Sequence, residues 1–302
     1  MNIFSASKVD IQQISIPGNC TLFMKREDQI HPQISGNKFW KLYYQLQKYQ
    51  EESFENPLLI TFGGAFSNHI AAVSYAGKLA GIKTVGIIRG EELTSAIHLN
   101  PTLSFAQSNG MEFRFVDRES YRDKEAISSN LKKEFPNALV IPEGGTNELA
   151  VKGIQNMLGI ETQDFDYLCS AVGTGGTLAG ISKYCEENQK VIGYKVVKDS
   201  SLEQLVFSLS GRNNVQLIEP SERYGKITDE NVRFINEFFH NYKIPLDPIY
   251  TGKMMQRLLR MIQAGGFPEG SRILAFHTGG LQGVDGANEM LKKQNRELIK
   301  LI

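Results

Sequence analysis

Short apolar runs alternate with longer amphipathic segments through most of the chain. "PLLITFGG" (57–64) predicts a strand ending in a glycine turn, and "SNHIAAVSYAGKLAG" (67–81) a helix closed by Gly81. "KTVGIIRG" (83–90) predicts a strand, residues 101–109 a helix, "MEFRFVD" (111–117) a strand and residues 119–135 a helix. "ALVIPEGG" (138–145) is again a strand running into glycines. The stretch 165–187 predicts strand, glycine loop and helix, followed by the strand "KVIGYKVV" (190–197). A helix with glycine at its end covers 251–266, and 271–283 is strand, glycine turn and helix start. This repeated order argues for an α/β fold of open, mostly parallel twisted sheets with helices on their faces. In such sheets ligands bind outside the carboxyl ends of the strands. Glycine turns stand at four of those ends, at 63–64, 144–145, 173–176 and 279–280, so the candidate chemistry gathers on one rim.

Composition narrows the partners. The 302 residues suffice for one large or two moderate domains, and 41% hydrophobic content supports a packed core. Lysine plus arginine and aspartate plus glutamate both number 33, which gives no support to a nucleic-acid or anionic-membrane partner. The first residues hold no apolar signal core, and no stretch approaches the ~18 apolar residues of a membrane span. Cys20, Cys169 and Cys185 show no metal-type spacing, and the five histidines form no ligand pair, so no metal is expected. An odd, scattered cysteine set reads as reduced and cytoplasmic.

Four stretches carry candidate chemistry. In "AVGTGGTLAG" (171–180), glycines between a strand and a helix let successive N–H groups face one anion. It is neither a Walker loop nor a dinucleotide fingerprint. It reads as a nest for one phosphate, or as a plain tight turn, and an unaccompanied nucleotide loop is a weaker reading. In "TFGGAFSNHIAA" (61–72), Ser67 caps a helix whose first amides, at Ser67, Asn68 and His69, would face a carboxylate; capping alone is the simpler reading. "FHTGG" (276–280) presents Thr278 and Gly279 at the rim, and Tyr250 and Tyr224 are either core or active-site tyrosines. Lys38, in "SGNKFWKL", stands at a helix start; taken alone it reads as an ordinary solvated helix lysine, whereas the dipole and partial burial would favour a neutral amine able to attack a carbonyl. A reactive lysine, a one-phosphate nest and a nearby asparagine together describe a pyridoxal phosphate site.

"SGNKFWKL", "TFGGAFSNH", "PEGG", "GTGGT", "YTGK" and "HTGG", in this order, resemble the family of D-cysteine desulfhydrase and 1-aminocyclopropane-1-carboxylate deaminase, within the tryptophan-synthase-β-like pyridoxal phosphate enzymes. The resemblance runs from about residue 10 to about 290. It implies two α/β domains with the cofactor in the cleft between them: a large one of residues 1–44 and 149–302, and a small one of 45–148. It implies a homodimer acting on a small amino acid. Lys38 then resembles the Schiff-base lysine, Asn68 the partner of the cofactor ring oxygen, and Gly173, Thr174, Gly175, Gly176 and Thr177 the phosphate loop. Thr278, with Gly279, resembles the hydroxyl beside the pyridine nitrogen. Ser67, Asn68 and His69 resemble residues that meet the substrate carboxylate, and Tyr224 and Tyr250 active-site tyrosines. In the ring-opening deaminases a glutamate follows the tyrosine at the Tyr250 position; here Thr251 follows, in the substrate region. That departure favours a D-cysteine desulfhydrase-like lyase over cyclopropane opening. A non-catalytic pyridoxal phosphate carrier would need only Lys38 and the nest.

Overall fold

The computed structural model describes residues 5–301. The chain begins with β1 (Ile11–Ile14) and β2 (Thr21–Lys25), then α1 (Asn37–Glu51). Next come β3 (Leu58–Gly63), α2 (Asn68–Ala80), β4 (Lys83–Arg89), α3 (Pro101–Ser108), β5 (Met111–Val116), α4 (Lys124–Glu134) and β6 (Ala138–Ile141). The remainder runs α5 (Glu148–Ile154), β7 (Tyr167–Val172), α6 (Gly176–Tyr184), β8 (Lys190–Lys195), α7 (Leu202–Ser210), β9 (Val215–Ile218), α8 (Asp229–Tyr242), α9 (Thr251–Gln263), β10 (Arg272–Phe276) and α10 (Gly283–Lys293).

Two sheets result. One has four strands in the order β5-β4-β3-β6, all parallel. The other has six, β1-β2-β10-β7-β8-β9, parallel except for the edge strand β1, which pairs antiparallel with β2. The central strands read as continuous apolar runs because both faces are covered; Leu59 and Ile60 of β3 and Ile273 and Leu274 of β10 are fully buried. Helix α1 buries Phe39, Leu42, Leu46 and Tyr49 at helical spacing, in one cluster with Ile70, Val73 and Ala76 of α2. Its apolar face thus belongs to the four-stranded sheet, while its first turn reaches the six-stranded one.

Local signals fix most boundaries. Ser67 caps α2 by accepting from Ile70 N, and Gly81 ends it at φ +68°. Asn100 caps α3, with Pro101 at its first position. The helix expected over 119–135 divides: a short 3₁₀ turn, Ser120–Arg122, precedes α4, because Asp123 takes the cap by accepting from Ala126 N. The strand expected over 138–145 stops at Ile141, since Pro142 offers no N–H for the ladder. Among the described residues, no helix is long and apolar enough to cross a membrane.

Candidate active site

The turns that follow β6, β7 and β10 meet the first turns of α1. Gly36 holds φ +65°, and a Cβ there would sit 2.1 Å from the Thr278 carbonyl oxygen. Only glycine therefore lets the "SGNK" turn lie on the "HTGG" turn. Asn37 N donates to Thr278 O (3.4 Å), and Asn37 Nδ2 donates to Thr177 Oγ1 (2.7 Å). Lys38 Nζ donates to Asn37 Oδ1 at 2.9 Å. One asparagine thus ties the lysine to the glycine loop after β7.

That loop interlocks with "PEGG". A Cβ on Gly176 would lie 2.7 Å from Thr146 Oγ1, and one on Gly144 2.8 Å from Thr174 Oγ1. The hydroxyls of Thr146 and Thr174 are 2.7 Å apart. Gly175 adopts φ +79° and Gly176 begins α6, so the loop runs into a helix N-terminus, whose first amides have no partner within the helix. Gly173 lies under the ring of Tyr250, 3.1 Å from its Cε1 to a built Cβ.

Lys38 opens onto the cleft but is otherwise enclosed by protein. Burial lowers its pKa to about 8, with the Asp247 carboxylate pulling the other way. Lys41, one turn on, is 2% exposed and donates to Gly144 O and to Thr146 Oγ1 (2.9 Å). Burial first, and then the charge of Lys38, holds it well below the ordinary lysine value. Across the cleft, Asn68 opens α2 and points its amide at Gly280, where a Cβ would lie 2.9 Å from Nδ2. Its Oδ1 is buried without a hydrogen bond. His69 packs against β3, with Nε2 2.8 Å from Thr61 Oγ1, and its Nδ1 is also buried without a partner. Burial, reinforced by Lys38 and Lys41, pushes its pKa down, so the ring is neutral.

His277 fixes the last wall. Nδ1 accepts from Gly279 N (3.2 Å) while Nε2 stands 2.6 Å from Pro245 O, holding Thr278, 8% exposed, at the strand end. Asp247 gathers the turn before α9: Oδ1 accepts from Ile249 N and Tyr250 N, and Oδ2 from Thr251 N and Thr251 Oγ1 (2.6 Å). Tyr250 is thereby aimed at the cleft, its hydroxyl 3.1 Å from that of Tyr224. Burial, with Tyr224 beside it, raises the Tyr250 phenol well above its ordinary pKa. The structure thus brings Lys38, Asn68, the 173–177 loop, Thr278, Gly279, Tyr250 and Tyr224 to one cleft. Ser67 lies at its edge with its hydroxyl on a helix amide, and the side chains of His69 and Thr251 turn inward to Thr61 and Asp247.

Several residues of this constellation were not singled out from the sequence, among them Asn37, Lys41 and Asp247. Lys41 had a signal, since a three-residue step from Lys38 puts both on neighbouring faces of one helix. Asp247, four positions before a helix start, had a capping signal. Asn37 had only its neighbour.

A family model for pyridoxal-phosphate dependent enzymes matches residues 7–279. The chain belongs to that family. A Pyrococcus horikoshii protein named as a candidate 1-aminocyclopropane-1-carboxylate deaminase is 31% identical over 285 residues, covering 87% of this chain and 85% of that protein. The mitochondrial bifunctional D-cysteine desulfhydrase/1-aminocyclopropane-1-carboxylate deaminase of Arabidopsis thaliana is 28% identical over 302 residues, covering 89% and 74%. A solved structure titled as that of a 1-aminocyclopropane-1-carboxylate deaminase homologue superimposes with a TM-score of 0.80 at 29% identity, covering 96% of this chain and 94% of that one. The protein is a pyridoxal phosphate-dependent lyase of the tryptophan-synthase-β-like fold.

The residues present fit the cofactor on structural grounds. A lysine of depressed basicity opens onto the cleft, a glycine loop at a helix N-terminus offers amides to a phosphate, and the buried Oδ1 of Asn68 lacks a partner.

Proposed function

We propose that this pyridoxal phosphate-dependent lyase deaminates a small amino acid by β-elimination, with D-cysteine as substrate and a 2-keto acid, ammonia and sulfide as products. The observation that carries the substrate reading is Thr251. It follows Tyr250, is fully buried, and spends its hydroxyl on Asp247. The cleft therefore receives no carboxylate from the position where the resemblance puts the glutamate of ring-opening enzymes.

The bound cofactor supplies an aldehyde for covalent attachment of an amine and a ring that stabilises negative charge at Cα. Lys38, Asn68, Gly173–Thr177 and Thr278 are the residues that would hold it. Lys38, substantially neutral near pH 8, is the nucleophile and then the base for the Cα proton. The first turn of α2 receives the substrate carboxylate, where Ser67 and the helix amides favour an anion. Tyr250 stays protonated at neutral pH, because its pKa is raised, and donates to the departing sulfur. Tyr224 supports it at 3.1 Å. Water completes the balance: D-cysteine and one water give pyruvate, ammonia and hydrogen sulfide.

The relatives' names support a second reading, ring opening of 1-aminocyclopropane-1-carboxylate to 2-oxobutanoate and ammonia. Purified protein loaded with pyridoxal phosphate tests both. D-cysteine is expected to shift the visible absorbance band and release sulfide and pyruvate, with the cyclopropane substrate inert. 2-Oxobutanoate from the cyclopropane substrate, without sulfide from D-cysteine, would overturn the leading reading in favour of the second.

A further inference from the structure

Beside the cleft, three cations of the rigid frame face one exposed segment. Lys195 ends β8 at 4% exposure and places Nζ 2.6 Å from Glu219 Oε1. Lys253, 8% exposed in the first turn of α9, has Glu222 Oε2 at 3.7 Å. Arg257, one turn further, donates to Lys195 O (3.1 Å) and to Glu219 O, with its guanidinium 5.6 Å from the Tyr194 ring. The cations are thus on the sheet and helix, and their carboxylates on residues 219–226, which join β9 to α8. Ser221, Arg223, Gly225 and Lys226 of that segment are exposed. It delivers a single group to the cleft, Tyr224, which is 53% exposed and bonded to Tyr250.

We propose that Lys195, Lys253 and Arg257 are positioning residues for Tyr224, clasping segment 219–226 against the frame so that its phenol meets Tyr250. A nine-tenths buried ammonium requires a counter-charge, and losing it is costly, unlike the breaking of a surface pair. Lys253 stands near a helix N-terminus, where the dipole disfavours a cation, so Glu222 matters more to it. Asp247, on the same turn, also faces Lys253, yet its oxygens already accept four hydrogen bonds. If the segment lifted, the Lys195 and Lys253 ammonium groups would lose the carboxylates that face them from 219–226, and Tyr250 would lose its phenol partner. The proposal rests on the reading of Tyr224 as an active-site residue.

Both carboxylates lie on the exposed side, so Glu219→Gln with Glu222→Gln removes the counter-charges without touching the core. Limited trypsin digestion with mass analysis reads opening directly at the bonds after Arg223 and Lys226. The double variant is expected to be nicked there about tenfold faster, with the rate at trypsin sites elsewhere and the cofactor loading unchanged. Its kcat/KM is expected to fall by the same factor as in Tyr224→Phe, and Glu219→Asp with Glu222→Asp to restore both. Nicking at an unchanged rate, or acceleration at all sites together with a lower Tm, would overturn the clasp. The digestion arm stands even if no tested amino acid is turned over, so failure of the substrate reading is separable.

Discussion

The two walls of the cleft are built differently. On the six-stranded side, residues 36–38, 173–177 and 277–279 are closed upon one another. Asn37 bonds both Lys38 and Thr177, Gly36 lies on the Thr278 carbonyl, and His277 holds Gly279. On the four-stranded side, Asn68 Oδ1 and His69 Nδ1 are buried and unpaired. A buried polar atom without a partner costs about 1–3 kcal/mol. The first wall is complete as a folded unit; the second keeps the Asn68 oxygen in reserve for what binds, while His69 is turned inward to Thr61. Preorganisation on one side and unmet demand on the other is how a site holds a cofactor firmly while leaving room for exchange of substrates.

The deepest break removes the group both walls address. Lys38→Ala is expected to lower turnover by about 10³-fold or more and to abolish borohydride-reducible attachment of the cofactor. Full turnover in that variant would remove Lys38 from the chemistry. Next comes the closed wall itself. Gly36→Ala should destabilise by roughly 2–4 kcal/mol, combining backbone strain at positive φ with a clash against backbone. Gly110→Ala shares the positive φ, +87°, but meets nothing within 4 Å, so its cost should be about 1 kcal/mol. Urea unfolding of the pair separates clash from strain; equal losses would mean that the Gly36 contact does not matter.

These contrasts mark what the sequence could disclose. Strand-then-helix order revealed the parallel sheets, because the apolar runs at 58–63 and 272–276 are short and end in glycine turns, and the cap at Ser67 is local chemistry; the cap at Asp123 is equally local, yet the expected helix runs across it. The glycine turns were legible as a rim for the same reason. Asn37 and Lys41 were not, since their roles depend on Thr177 and Thr146, 140 and 105 positions away. No periodicity encodes such a meeting. The inward turn of the His69 and Thr251 side chains was equally hidden: each stands in a motif of the cleft, yet packing against Thr61 and Asp247 decides where it points.

Two asparagines sharpen the comparison further. Asn37→Ala should weaken cofactor binding about tenfold and also lower apoprotein stability by about 1 kcal/mol, because it cuts bonds already made. Asn68→Ala should weaken cofactor binding similarly while leaving the apoprotein as stable or slightly more so, since an unpaired buried oxygen is removed. Cofactor titration beside thermal melts of the apoproteins reads both. A melt for Asn68→Ala that drops as far as that for Asn37→Ala would erase the distinction between the walls.

The smallest expected effect is the titration of Lys38, and its sign follows from burial. The amine titrates near pH 8 in the folded chain against 10.5 for a free side chain. The unfolded chain therefore holds this proton more tightly between those values, and folding releases it. The Lys38 contribution to apoprotein stability rises with pH across that window and is flat below it, where both states are protonated. Only the neutral amine attacks an aldehyde, so the rate of cofactor attachment should climb with pH and level off above about 8. Asp247 opposes burial by stabilising the ammonium form, so Asp247→Asn should move the inflection to lower pH. An inflection that stays in place would mean that Asp247 serves the turn before α9 alone. One near the free-lysine value, in the unsubstituted chain, would mean that burial does not set the basicity of Lys38 at all.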